Sequence, residues 1–262
     1  MYIFQLQDCK FNDDNIFIPD DMLDIKIEKV INKNTNDFSG KYLIHVNGDT
    51  FGLFSDLYTY CSTKYILEKI KDKYKLQYKF YRKGTITCYL YTEKEKLHKL
   101  DDKTFKLVKA LSLVPLSTFE GYCMFGVFIS NTYNGWRKLN MGNYFLMKLG
   151  DKKHYIKLSI VDIKGSHLPS LIDKVKELDK QIHTIEDINK IDKFELDYEI
   201  KRILAKKNYT QYKSLLDSII NYDPLQMIIA ASSTTESYDI KDRIAKITSE
   251  LLRRKSSWNI II

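Results

Sequence analysis

Cysteine is scarce in this chain: four among 262 residues, Cys9, Cys61, Cys88 and Cys123. No two are close enough for a CxxC metal or redox motif. Cys88 and Cys123 fall inside apolar alternating stretches, which reads as buried, reduced, inert thiols in a reducing compartment. Proline, with four residues, and glycine, with ten, are too few for a linker or a low-complexity tract. Long apolar runs are missing too. Residues 107–116 and 121–129 are core-sized, well short of the ~20 residues of a membrane-spanning helix. Residues 1–9 lack a basic stretch and turn acidic at once, unlike a secretory signal. The expectation is a cytoplasmic protein with no membrane partner. Signature loops are absent as well: there is no GxxxxGK[ST], no GxGxxG, no HExxH and no GxSxG. Nothing points to a nucleotide loop, a zinc protease or a serine hydrolase.

Arginine is the other shortage. Only six of the 42 basic residues are Arg; the rest are Lys, beside abundant Ile, Asn, Tyr and Phe. That mixture suits an AT-rich genome, such as that of a bacterium, phage or mobile element, and lysine excess can then be codon drift on a solvated surface. The net charge is +8, but its distribution says more than its size. Residues 1–63 hold five basic and ten acidic groups, a net of −5, whereas residues 64–109 hold fourteen and six, a net of +8. Residues 110–165 net +4 and residues 166–262 net +1. Drift would spread lysine more evenly, so the clustering argues for a basic patch and an anionic partner.

Hydrophobic periodicity divides the chain. Alternation over residues 2–7 and 25–31 reads as strands, with an acidic stretch between them. Tyr42–Val46 and Thr50–Leu53 flank Asn47 and Gly48, the signature of a tight hairpin. A helix is expected over about 56–72, then a hairpin over 73–91 turning at Lys83 and Gly84. A helix over about 102–113 ends before Pro115. Strands follow at 122–130, 143–149 and 153–163. From residue 166 the period becomes 3.6, with helices to about 185, over about 195–221 with a break near Asn208, over 225–231, and over about 239–255. The class is α+β: an antiparallel β-rich N-terminal part followed by an α-helical C-terminal part. The expected domains are 1–165, β-rich with two helices, and 166–262, a helical region packed on it or a small second domain.

The hairpin over 73–91 is the leading site. Alternation groups Lys73, Lys75, Lys79 and Tyr81 on its less apolar side, with Tyr89 and Tyr91 on the return strand. Lysine neutralises phosphate and tyrosine rings stack on unpaired bases, so the face suits single-stranded nucleic acid. A solvated sheet face is the plainer account. The long connection 130–142 is the second candidate, through Trp136, Arg137 and Lys138, which suit a nucleic acid or a protein partner.

Residues 160–165, with Asp162 and Lys164, resemble the acidic-x-Lys strand of the PD-(D/E)xK nuclease family. The resemblance spans six residues. It implies that Asp162 holds a divalent metal, Mg2+ or Mn2+, and that Lys164 steadies the scissile phosphate or the attacking water. The family's further acid would face Asp162 across a hairpin, where Asn140, Met141 and Gly142 fall. Glu120 and Asp151 are the acids that remain. The leading expectation is therefore a nucleic-acid-binding protein, not an enzyme, working in a larger complex without metal or cofactor. A metal-dependent nuclease and a structural protein–protein subunit, homo-oligomeric or not, are the alternatives.

Overall fold

The computed structural model describes residues 4–5, 15–20, 23–46, 48–55, 59–60, 63–82, 85–92, 97–111, 121–132, 138–149, 152–163 and 184–258. The fold is α+β, with antiparallel sheets in the N-terminal part and helices in the C-terminal part. Strands β1 (Phe4–Gln5), β2 (Asn15–Asp20), β3 (Leu23–Ile31), β4 (Phe38–Val46), β5 (Asp49–Ser55) and β6 (Thr59–Tyr60) lead to helix α1 (Thr63–Ile70). Next come β7 (Lys75–Arg82), β8 (Thr85–Tyr91), β9 (His98–Lys99), α2 (Asp102–Ala110), β10 (Gly121–Thr132), β11 (Lys138–Leu149), β12 (Lys152–Lys157) and β13 (Val161–Ile163). Helices α3 (Ile185–Asn189), α4 (Lys193–Ile203), α5 (Lys206–Asp217), α6 (Pro224–Ser233) and α7 (Tyr238–Trp258) complete the described chain.

Several boundaries differ from the pattern reading, each for a local reason. The acidic stretch after β1 contains a strand: β2 pairs with β3 through Ile16↔Ile27 and Ile18↔Ile25. Helix α1 begins at Thr63 because the preceding Thr59 and Tyr60 pair with β1. The strand expected over 153–163 is broken at Leu158–Ile160. There the amide of Leu158 donates to the Asn143 carbonyl at 2.8 Å and the amide of Ile160 to the Ser249 hydroxyl at 2.7 Å. The long helix over 195–221 is two helices, parted at Leu204–Ala205. The helix expected over 166–185 lies mostly outside the described residues. The Asn-Gly hairpin forms: Val46↔Asp49 leaves two residues in the loop, and Gly48 has φ +86°, a left-handed conformation that glycine adopts without strain.

The chain forms two compact units that interleave along the sequence, residues 1–90, 128–141 and 162–180 in one, and 91–127, 142–161 and 181–262 in the other. Strands β10 and β11 contribute to both. The first unit holds a four-stranded sheet in the order β2-β3-β4-β5. It also holds α1, whose buried Ile66 and Ile70 are one turn apart, and the β7–β8 hairpin. The second unit centres on α6, buried from Pro224 to Ser232. Leu107, Phe145, Met147, Ile188, Leu196, Ile200, Leu216 and Ile244 belong to the same buried cluster. Its helix ends are satisfied in sequence-readable ways. Asp101 accepts from the amides of Lys103 and Thr104, Asp192 accepts from that of Glu195, and Thr184 and Asp187 form a capping box.

Candidate nucleic-acid interface

In the sheet that contains the hairpin, β7 ends the path β12-β11-β10-β8-β7. Strand β8 lies inside it, and Ile86, Thr87, Cys88, Tyr89 and Leu90 are all buried. Strand β7 is open on both faces: Leu76 is 47% and Tyr78 46% exposed, Lys75 is exposed, and Gln77 and Lys79 are half-buried. Among the described residues β7 has β8 as its one strand neighbour, and with side chains of both parities exposed, alternation of apolar and polar residues does not sort it into inside and outside.

The ring contacts regroup the expected site. Tyr78 stacks on Tyr89, with ring centroids 6.4 Å apart and planes at 21°. The two therefore share a face, and Tyr91, two residues beyond Tyr89, lies on it as well. Lys75 and Lys79, odd-numbered where Tyr78 is even, point to the opposite face. The grouping of these lysines with Tyr89 and Tyr91 on one face is corrected here. Tyr89 is also only 8% exposed, with its ring 6.2 Å from that of Phe128. The same side carries a hydroxyl ladder between β8 and β10, Thr85 to Thr132 at 3.1 Å and Thr87 to Ser130 at 2.6 Å. Lys73 lies before β7, in the turn at 71–73, exposed, with its ammonium 5.7 Å from the Tyr74 ring centroid. The backbone of Tyr81 belongs to β7; its side chain is outside the described part.

The turn and α1 hold cations that a hairpin-centred reading passes over. Lys64, Lys69, Lys71, Lys73 and Lys75 are all exposed, against the exposed Glu68 and Asp72. Lys71 hydrogen bonds Glu68, which holds that carboxyl below its usual range and the ammonium above its own. The segment charge over 64–109 was the signal that could have found them. Tyr78, absent from the expected site, is the exposed ring of the aromatic row.

The connection 130–142 is shorter than the pattern suggested, since β10 runs to Thr132 and β11 starts at Lys138. Trp136 and Arg137 lie outside the described residues, and Lys138 is placed by its backbone at the start of β11. Asp162 is exposed in β13, and Lys164 is outside the described residues. Among the described residues no group of three or more His, Cys, Asp or Glu side chains could hold a metal ion. No described helix is long and apolar enough to cross a membrane. His45, next to the Asn-Gly turn, is engaged with Glu28 at 3.2 Å and Thr50 at 2.9 Å. Compared with models of protein families, with curated proteins and with solved structures, the chain matches none.

Proposed function

We propose that the chain is a nucleic-acid-binding protein of the cytoplasm, working within a larger complex, and that it grips a single strand along α1, the turn at 71–73 and the edge strand β7. The observation that carries this reading is the run of five exposed lysines between residues 64 and 75, against two exposed acids. The run continues into a strand whose Tyr78 ring is nearly half exposed. Lysines there neutralise phosphates, and Tyr78 offers a π-face to one base. Cys88 and Cys123, both unbridged, suit a reducing compartment.

The test is fluorescence anisotropy with a labelled single-stranded oligonucleotide over a salt series. Replacing the exposed Lys64, Lys73 and Lys75 by Ala should lower the slope of log affinity against log salt by about two, at roughly 0.7 per phosphate contact. Tyr78→Ala should weaken binding at every salt concentration and leave the slope alone. Binding that ignores salt, or an unchanged slope in the lysine variant, would sink the proposal. Shortening of the oligonucleotide on adding Mg2+ or Mn2+ would move the reading to a nuclease.

A further inference from the structure

The three most exposed large apolar side chains among the described residues lie in the helical unit: Phe194 at 87%, Ile220 at 77% and Tyr198 at 61%. Phe194 and Tyr198 are one turn apart on α4, about 6 Å along its axis. Lys193 donates to the Tyr222 carbonyl at 2.5 Å, which ties the loop carrying Ile220 to the same end of the helix. Arg202, the next residue of the stripe, lies with its guanidinium carbon 5.7 Å from the Tyr198 ring centroid. Each ring is followed by a glutamate already paired with an arginine: Glu195 with Arg254 at 2.9 Å, and Glu199 with Arg202 at 3.1 Å. Apolar rings framed by ion pairs have the make-up of a protein interface. A phosphate backbone would meet two carboxylates there.

Charge along α4 is polarised about Tyr198. The N-terminal half carries Asp192, Glu195 and Asp197 against Lys193 and the Arg254 that pairs with Glu195. The C-terminal half carries Lys201 and Arg202, then Lys206 and Lys207 at the start of α5, against Glu199. We propose that this face binds a second copy of the same chain, with the two α4 helices antiparallel across a two-fold axis at Tyr198. The arrangement sets Phe194 against Arg202 of the second copy and Glu195 against its Lys201, so the acidic end of each helix meets the basic end of the other. A two-fold contact must be self-complementary in this way. One helix face per copy falls below the ~1,200 Å2 of a standard interface, so the dimer is weak and depends on concentration.

Sedimentation velocity of the full chain over a micromolar dilution series tests this. The wild type should shift from monomer towards dimer as concentration rises. Phe194→Ser with Tyr198→Ser should weaken association about tenfold or more, with an unchanged melting curve because both rings are exposed. Glu195→Lys alone and Lys201→Glu alone should each weaken it, and mixing the two variants should restore a dimer, because each lysine introduced at 195 then faces a glutamate introduced at 201. Three results would overturn the proposal: a monomer at every concentration, a dimer indifferent to the loss of both rings, or oligonucleotide affinity that falls with the rings while the chain stays monomeric.

Discussion

Cys123 stands near the start of β10, half-buried, its sulfur 4.0 Å from the Lys99 carbonyl oxygen. Burial pushes its thiol up to about 11, and the Asp101 carboxylate adds to the shift. Only the thiolate attacks an alkylating reagent. At pH 8 Cys123 should therefore react with iodoacetamide at least about a hundredfold more slowly than an unperturbed thiol. Peptide mass spectrometry of the native chain measures this, and labelling at the rate of the unfolded protein would contradict it. The burial of Cys88 was legible in the sequence, because it sits in an apolar alternation; Cys123, read the same way, is only half-buried. The faces of the hairpin were not legible to the same degree. Parity within one strand is read directly, but which face of β7 joins which face of β8 depends on the register across the turn. Tyr78 and Tyr89 settle it by touching.

Helix α6, expected over 225–231, forms from Pro224 to Ser233, although its sequence carries no amphipathic pattern. Every residue from Leu225 to Ser232 is buried, so it has no stripe for periodicity to find. Its start was readable even so, since Asp223 precedes Pro224 and proline suits the first helical position. Gln226 anchors it: its Nε2 donates to the Thr104 hydroxyl at 3.1 Å, and its Oε1 accepts from the Asp223 amide at 2.8 Å. Lys103 reaches Asp223 at 2.6 Å from the same helix as Thr104. Ile228 has no exposed surface. Ile228→Ala should cost about 2–5 kcal/mol, the transfer free energy of the lost atoms plus the cavity they leave. Urea denaturation measures it, and a loss below about 1 kcal/mol would mean that α6 is not the packed centre of its unit. Strand β2, by contrast, was missed. Asn15, Pro19 and Asp20 disguise a short apolar run that only its partner β3 identifies.

At the scale of the whole molecule, a net charge of +8 draws the protein to any polyanion, and that attraction must be separated from a site. The surplus is not confined to one unit. Residues 1–90, 128–141 and 162–180 together carry +3, and the remainder carries +5, which sum to +8. Clustering in the chain was legible in the sequence, but the gathering of exposed lysines on α1 and its exit turn needed the fold. A pair of charge-matched variants decides between a field and a site. Replacing the exposed Lys64, Lys73 and Lys75 by Glu changes the charge by −6, from +8 to +2. Replacing the exposed Lys106, Lys109 and Arg243 of the second unit by Glu makes the same change elsewhere. Both triples should spare folding, since surface substitutions usually cost under about 0.5 kcal/mol each. Heparin should release both variants at lower salt than the wild type, because it reads overall charge. Only the first triple should lose single-stranded oligonucleotide binding in the anisotropy assay. An equal loss in the two would show that net charge, and no particular surface, is what holds the strand.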